Sequence, residues 1–242
     1  MLKLTFSAKH YFALAWSLIP PTQQSQIARV DQIDVFGQTL FTILFACSDR
    51  PSEGVAHPPG KIIQNGDIIF QTSKSSQSQA IQLATKSKYS HMGIIYESEG
   101  EYFVYEAVQP VKLTPLQDWI NRGENGHYVI KRLENADEIL TQETLHKMKQ
   151  TGEKYKGKDY DLYFEWSDDK IYCSELVWKI YKEATGIEIG KPGKLSDFDL
   201  THEIVSQKIK ERYGDNSPPL DEKVISPAAM FDADNLITIV EK

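Results

Sequence analysis

Cysteine is scarce in this chain of 242 residues, which contains only Cys47 and Cys173. Two thiols can form at most one disulfide, and a chain of this length can bury enough apolar surface without one. No CxxC pair occurs and the six histidines are widely scattered, so the sequence offers no recognisable zinc ligand set. These absences exclude a disulfide scaffold, and we expect no metal site.

Phosphate-binding motifs and excess positive charge are also lacking. The chain has no glycine-rich loop of the GxxxxGK type and no GxGxxG after a strand, so nucleotide chemistry lacks its usual cradle and we expect no cofactor. The net charge of −7 and the pI of about 5.4 provide no sign of the basic face that displaces counterions from phosphates. Nucleic acid is therefore excluded as a partner.

Long hydrophobic runs are missing as well. Residues 11–21, YFALAWSLIPP, and residues 36–54, FGQTLFTILFACSDRPSEG, are too short to cross a bilayer as helices, which takes ~20 apolar residues. The second run ends at Cys47 before a polar stretch rich in proline and glycine, as a lipoprotein signal and tether would. Asp31 and Asp34 disagree with this reading, because a signal favours positive charge there. The alternative is an N-terminal helix and loop packed on the domain.

What remains is ordinary for a globular protein, with 40% hydrophobic and 25% charged residues. We divide the chain into an N-terminal extension, residues 1–65, as a possible leader and tether, and one domain, residues 66–242. The extension favours the cell envelope, periplasmic or lipid-anchored, with a cytoplasmic location as the alternative. Contact with a membrane is expected only through a lipid anchor at Cys47.

Alternating and helical apolar spacings predict the elements of the domain. Helix signals include a start at Thr114 as N-cap with Pro115 at the first position, and a helix after Cys173 that Gly186 ends. Strands concentrate in the first half with hairpin connections, which predicts an α+β fold with a largely antiparallel sheet. The segments are strands in 65–71, 89–108, 126–133 and 236–240, and helices in 76–88, 113–123, 136–155, 173–186 and 201–214.

The stretch YSHMGIIYESEGEYFVYEAV predicts a hairpin, and the pairing of its strands predicts which side chains lie opposite each other. If residues 97–100 form the loop, His91 lies directly opposite Glu106 on one face, with Cβ atoms ~5 Å apart. Gly93 lies on the same face and is expected to leave room for a substrate. A one-residue slip in register would separate the imidazole from the carboxylate.

Cys173 directly precedes an amphipathic helix, in the segment KIYCSELVWKI. Free N–H groups and the positive end of the helix dipole favour a thiolate at such a position. Together with His91 as base and Glu106 to orient the imidazole, the thiol would complete a nucleophilic triad, with its own backbone N–H helping to bind an oxyanion. The alternative is that Cys173 is packing, since cysteine is often buried, and that His91 and Glu106 form a surface pair.

NGDIIF, YSHMGIIYE, YCSELVWKIY and the terminal ISPAAMFDADNL resemble the circularly permuted papain-fold hydrolases of the YiiX-like group, relatives of the NlpC-type cell-wall peptidases. The resemblance spans roughly residues 66–240. Papain-type chains place the cysteine before the histidine, and permutation explains the opposite order here. The resemblance implies an antiparallel sheet packed against the cysteine helix, with Cys173 as nucleophile, His91 as base and Glu106 as the third member.

The same resemblance implies a cysteine amidase or peptidase that cleaves short, cell-wall-derived peptides. Two alternatives stay open: a lipid or thioester acyltransferase or hydrolase that uses the same cysteine, and a catalytically silent binding module. Tyr172 and Gly93 are candidate substrate-binding residues. The loop 154–166 contains lysines and aromatics, and we interpret it as a solvated loop with packing aromatics, against the alternative of a site for an acidic or amphiphilic substrate.

Overall fold

The computed structural model describes residues 62–242, and the predictions of a leader, a tether and a lipidated Cys47 concern residues outside this range. Within these residues the chain forms eight strands, seven α-helices and two short 3-10 turns. The strands are β1 Ile68–Gln71, β2 His91–Ser98, β3 Glu101–Glu106, β4 Lys112–Pro115, β5 Val129–Leu133, β6 Gly193–Lys194, β7 Lys223–Val224 and β8 Leu236–Glu241. The helices are α1 Ser76–Thr85, α2 Leu116–Arg122, α3 Ala136–Ile139, α4 Gln142–Glu153, α5 Cys173–Thr185, α6 Glu203–Tyr213 and α7 Pro227–Phe231.

Six strands of the described part form one sheet in the order β4-β3-β2-β1-β5-β8, and every neighbouring pair is antiparallel. The remaining pair, β6 and β7, makes a two-residue ribbon that the sequence patterns did not predict. The predicted α+β class with a largely antiparallel sheet is therefore confirmed. Within residues 62–242, no helix combines the length and apolar character needed to cross a membrane.

The sheet buries both faces, and its main core lies against α5. Leu176, Val177, Ile180 and Tyr181 form the apolar stripe of α5 and are all fully buried in one cluster with side chains from β1, β2 and β3. This spacing puts all four on one face of a helix, as predicted. α5 ends at Gly186, whose left-handed φ of 76° closes the helix without strain.

A smaller cluster covers the opposite face of the sheet. Ile69, Ile95, Val104 and Ile130 point to this face, and Trp119 of α2 packs onto them. Strand residues alternate between faces, so the odd-numbered positions of β2, including His91, share the face of this cluster. His91 and the main hydrophobic core therefore lie on opposite sides of the same strand.

The hairpin turn is shorter than predicted. β2 and β3 pair with Ser98 opposite Glu101, so the loop is the two residues Glu99 and Gly100 rather than four. Both have positive φ, 54° and 84°, as tight hairpin turns that match the strand twist require. The register therefore shifts by two residues, and His91 is not directly opposite Glu106.

Two helix predictions were also wrong in detail. Thr114 is not an N-cap: it lies in β4, opposite Val104, and Pro115 occupies the N-cap of α2. The helix predicted over 136–155 divides into α3 and α4, because Thr141 takes an extended conformation and its side chain accepts a hydrogen bond from the backbone N–H of Thr144 at 3.2 Å. Such a cap starts a new helix.

Candidate active site

His91 begins β2 and reaches Glu106, the last residue of β3. The observed register makes them diagonal neighbours across the hairpin, and His91 Nε2 lies 2.6 Å from Glu106 Oε2. They meet because a shift of two residues preserves the face on which a side chain lies. The structure thus brings the imidazole and the carboxylate together, although not by the direct pairing that the sequence suggested.

The Glu106 carboxylate is fully buried, and four side chains surround it. In addition to His91, it accepts hydrogen bonds from Thr114 Oγ1 at 2.6 Å and from Trp119 Nε1 at 2.9 Å, and it pairs with the Arg122 guanidinium. Burial alone would raise the pKa of Glu106. The hydrogen bonds from His91 and Thr114 and the positive charges of His91 and Arg122 outweigh burial and lower the pKa to about 2.

Cys173 is the first residue of α5, after the N-cap Tyr172. The residue is 2% exposed, yet its surface forms part of the wall of a cavity. Its side chain lies close enough to the imidazole of His91 to raise the pKa of that ring, and because Glu106 occupies Nε2, the nitrogen that remains for the sulfur is Nδ1. The three predicted side chains therefore lie next to one another, in the order sulfur, imidazole and carboxylate.

These contacts control the protonation of His91. Burial lowers the pKa of the imidazole, but hydrogen bonds to Cys173 and Glu106 and the negative charges of the two partners raise it to about 9. The ring is further held by Trp119, which stacks on it with centroids 5.9 Å apart. An imidazolium is therefore stable beside the thiol at neutral pH.

Tyr160 is a site residue that the sequence reasoning missed. Its hydroxyl lies near the Cys173 side chain and accepts a hydrogen bond from Gln77 Nε2 at 3.2 Å. Burial and the neighbouring thiol raise the pKa of Tyr160 far above its usual value, so the hydroxyl keeps its proton and can donate it in a hydrogen bond. The aromatic loop 154–166 was the available signal, but its approach to Cys173 depends on tertiary packing.

The two candidate substrate-binding residues differ in position. Tyr172 is buried in the wall of the Cys173 cavity, and its hydroxyl accepts a hydrogen bond from the backbone N–H of Ile225 at 3.2 Å. Gly93 offers no space to a substrate. A Cβ there would lie 2.5 Å from Val104 Cγ1 and 2.7 Å from the backbone oxygen of Tyr105, so its lack of a side chain serves the packing of the hairpin.

Two spaces of different character meet at the triad. Cys173 lines a cavity with about 780 Å³ of empty volume, part of it open to solvent, whose wall is mostly aliphatic and aromatic. His91 lines a separate cleft with about 1050 Å³ of empty volume, part of it open to solvent, whose wall combines serine and glutamine side chains and Arg122 with apolar groups. Gln77, Ile81 and Tyr160 line both spaces and separate them.

A thiol at the head of a helix, near an imidazole that a carboxylate holds on an antiparallel sheet, defines a papain-like arrangement, here with histidine before cysteine in the chain. The chain belongs to the family described as permuted papain-like amidase enzymes, YaeF/YiiX, C92 family, whose model matches residues 62–240. This is a family of cysteine peptidase- or amidase-type hydrolases, so the predicted family and enzyme class are confirmed.

Two relatives support the same membership. The chain is 51% identical over 179 residues to the uncharacterized protein YiiX of Escherichia coli K12, a match that covers 74% of this chain and 87% of the relative. A crystal structure of YiiX from Escherichia coli O157:H7 superposes with a TM-score of 0.70 at 52% identity, and covers 74% of this chain and 97% of that one.

The O157:H7 structure is described as that of a metalloprotein. A metal site in the present chain would need a group of side chains able to bind the ion. Among residues 62–242, no three histidine, cysteine, aspartate or glutamate side chains are grouped for this purpose. The residues present do not fit a bound metal, and the chemistry below uses none.

Proposed function

We propose that this protein is a cysteine amidase in which Cys173 is the nucleophile, His91 the base and acid, and Glu106 the residue that orients the imidazole. The observation that carries the proposal is the 2.6 Å contact between His91 Nε2 and Glu106 Oε2, together with the placement of Cys173 near the same imidazole at the start of α5. In this assignment the proton of the thiol already resides on His91 before attack, and the sulfur attacks the carbonyl carbon of an amide as a thiolate.

The remaining groups support the steps that follow attack. The oxyanion would receive hydrogen bonds from the backbone N–H of Cys173, at the free end of α5, and from the protonated Tyr160 hydroxyl. His91 then gives its proton to the leaving amine as the carbon–nitrogen bond breaks, which leaves a thioester on Cys173. Water attacks the thioester with His91 as base, and the acid product leaves.

The substrate class has two candidates. Short peptides from the cell wall are the leading candidate by family resemblance, and the serine, glutamine and arginine side chains of the cleft that His91 lines suit peptide groups. Hydrolysis or transfer of a lipid or thioester acyl group is the second, because the cavity beside Cys173 has a mostly apolar wall.

The nucleophile is tested by alkylation with iodoacetamide. We expect Cys173 to react rapidly below pH 8, and His91→Ala to slow the reaction at least ~10-fold, because the substitution removes the base. Peptide mapping by mass spectrometry assigns the site, and Cys47→Ala serves as the matched control that removes the other thiol. Kinetics of an ordinary free thiol at Cys173, unaffected by His91→Ala, would contradict the proposal and favour a binding module.

The substrate class is tested with products. Wild type and Cys173→Ala are incubated with muropeptides and with acyl lipids, and products that depend on Cys173 are identified by mass spectrometry. Cleaved muropeptide supports the peptide candidate. Cleaved lipid beside intact muropeptide overturns that ranking in favour of the second candidate.

A further inference from the structure

The carboxylate of Glu106 is saturated by hydrogen bonds, and each of its two oxygens has two partners. Oε2 lies 2.6 Å from His91 Nε2 and accepts from Trp119 Nε1 at 2.9 Å. Oε1 accepts from Thr114 Oγ1 at 2.6 Å and from Arg122 Nη2. An ionised carboxylate offers about four acceptor sites, so this set of partners fixes the group that in turn orients the imidazole.

Three of these four partners come from one short segment of the chain. Thr114 lies in β4, and Trp119 and Arg122 lie three residues apart on α2, which follows β4 directly. Residues three apart share one face of a helix, so both side chains reach the carboxylate. The end of the segment is anchored, because Gly123 forms a β-bridge with Ser73, just beyond β1. The fold of its own segment therefore holds Arg122 beside Glu106.

Arg122 differs from Thr114 and Trp119 because its side chain carries a charge. The Arg122 side chain is 43% exposed and lines the cleft of His91, whereas the Glu106 side chain is fully buried. Apart from His91, no other described residue in the wall of that cleft is ionisable to a charged form at neutral pH. The guanidinium therefore has Glu106 as its counter-charge, and it offsets part of the negative charge that the imidazole experiences.

This balance of charge matters when His91 gives its proton to the leaving amine. The titratable groups around the imidazole are Glu106 from β3, Cys173 from α5 and Tyr160 from the loop before α5, and Tyr160 keeps its proton. Burial lowers the pKa of His91, but its neighbours Cys173 and Glu106 raise it to about 9. A general acid works best with a pKa near the operating pH, so a further increase would slow release of the proton.

We propose that Arg122 is a positioning residue of the triad, which neutralises part of the charge of Glu106 and so keeps His91 acidic enough to protonate the leaving amine. This inference rests on the proposed amidase function. The alternative is a purely structural role, in which the guanidinium compensates a buried carboxylate and stabilises the fold. The two roles differ in one measurable quantity, because only the first changes the proton affinity of His91.

The test follows the protonation of His91 by NMR in the full chain with isotope-labelled histidine, and His91→Ala identifies the signal by its loss. Arg122→Gln should raise the midpoint by about 0.5–1 pH unit, because it removes a positive charge close to Glu106. Arg122→Lys keeps the charge and should restore the wild-type midpoint. The matched control Lys147→Gln, at an exposed position of α4, removes the same net charge and should leave the midpoint unchanged.

Alkylation of Cys173 at neutral pH separates this proposal from the amidase itself. A midpoint that does not rise in Arg122→Gln, while Cys173 still alkylates in a His91-dependent manner, overturns the role of Arg122 and leaves the amidase in place. An equal rise in Arg122→Lys also overturns it, because the charge would then not be the cause. Alkylation that does not depend on His91 removes the amidase. If Arg122→Gln does not fold, the second neutral variant, Arg122→Met, decides.

Discussion

Glu106 is the residue whose charge holds His91 protonated. Glu106→Gln removes one of the negative charges that raise the pKa of His91 to about 9, so the imidazolium should lose its proton at lower pH. We expect the alkaline limb of the kcat/KM profile to move down by about one pH unit or more, since opposite charges at this distance shift a pKa by ~1–3 units. The pH–rate profile of hydrolysis, or of Cys173 alkylation, measures the shift.

The matched control is Glu101→Gln, an exposed position on the same strand. It should leave the alkaline limb unchanged. An unmoved limb in Glu106→Gln would show that the carboxylate does not govern the protonation of His91.

Glu175 is a second buried carboxyl, two residues after the nucleophile. Burial raises its pKa to about 7 despite the ion pair with Lys179 at 2.8 Å. Between pH about 4.5 and about 7, the Glu175 carboxyl therefore keeps its proton in the folded state and has lost it in the unfolded state, where its pKa is 4.5. Glu175 weakens the folded state progressively as pH rises from about 4.5 to about 7.

The free energy of unfolding of Glu175→Gln should increase relative to that of the wild type as pH rises. Between pH ~5 and ~8 the difference in unfolding free energy should increase by on the order of 2 kcal/mol. Denaturant unfolding at both pH values measures it, with the exposed Glu183→Gln of the same helix as control. A difference that stays constant with pH would contradict the raised pKa.

At the scale of elements, the hairpin of β2 and β3 depends on Gly93. Gly93→Ala puts a Cβ 2.5 Å from Val104 Cγ1, which should destabilise the protein by about 1–3 kcal/mol. Val104→Ala in the same chain removes that contact and should recover part of the loss, although the oxygen of Tyr105 at 2.7 Å remains. Thermal unfolding of Gly93→Ala, of Val104→Ala and of the double variant completes a double-mutant cycle. Additive losses of stability from the two substitutions would contradict the clash.

The hairpin also shows what sequence can and cannot predict. The turn length was wrong, yet His91 and Glu106 were assigned correctly to one face, because an error of two residues preserves the alternation of a strand. Thr114 was assigned as a helix cap because threonine before proline favours one. Its role in β4 depends on the buried carboxylate it satisfies, a partner eight residues away that local pattern does not reveal.

The helix of Cys173 was predicted with its correct start and end, because its apolar stripe and Gly186 are local signals. The cavity beside Cys173 was not predicted. Its wall comes from segments far apart in the sequence, so only the folded chain assembles it. The position of Tyr160 and the cleft that His91 lines depend on tertiary packing in the same way. The segments that form the cavity wall include α1, the loop 160–164, α6 and residues 224–227.

At the scale of the whole molecule, the fold and the candidate site lie within residues 62–242. Residues 62–242 belong to one compact unit, and the family model covers residues 62–240. We therefore expect a chain of residues 57–242 to unfold cooperatively and to alkylate at Cys173 at the rate of the full chain. Calorimetry and alkylation kinetics check this, and a truncated chain without cooperative unfolding would contradict it.

The indole of Trp119 donates to Glu106 and stacks on His91, so it is an optical probe placed against the reacting groups. A protonated imidazole quenches tryptophan emission, and the fluorescence of Trp119 should therefore brighten as alkali removes the proton from His91. Subtracting the spectrum of Trp119→Phe isolates this signal from the other three tryptophans of the chain. The titration of His91 can then be followed by fluorescence in the absence of any substrate.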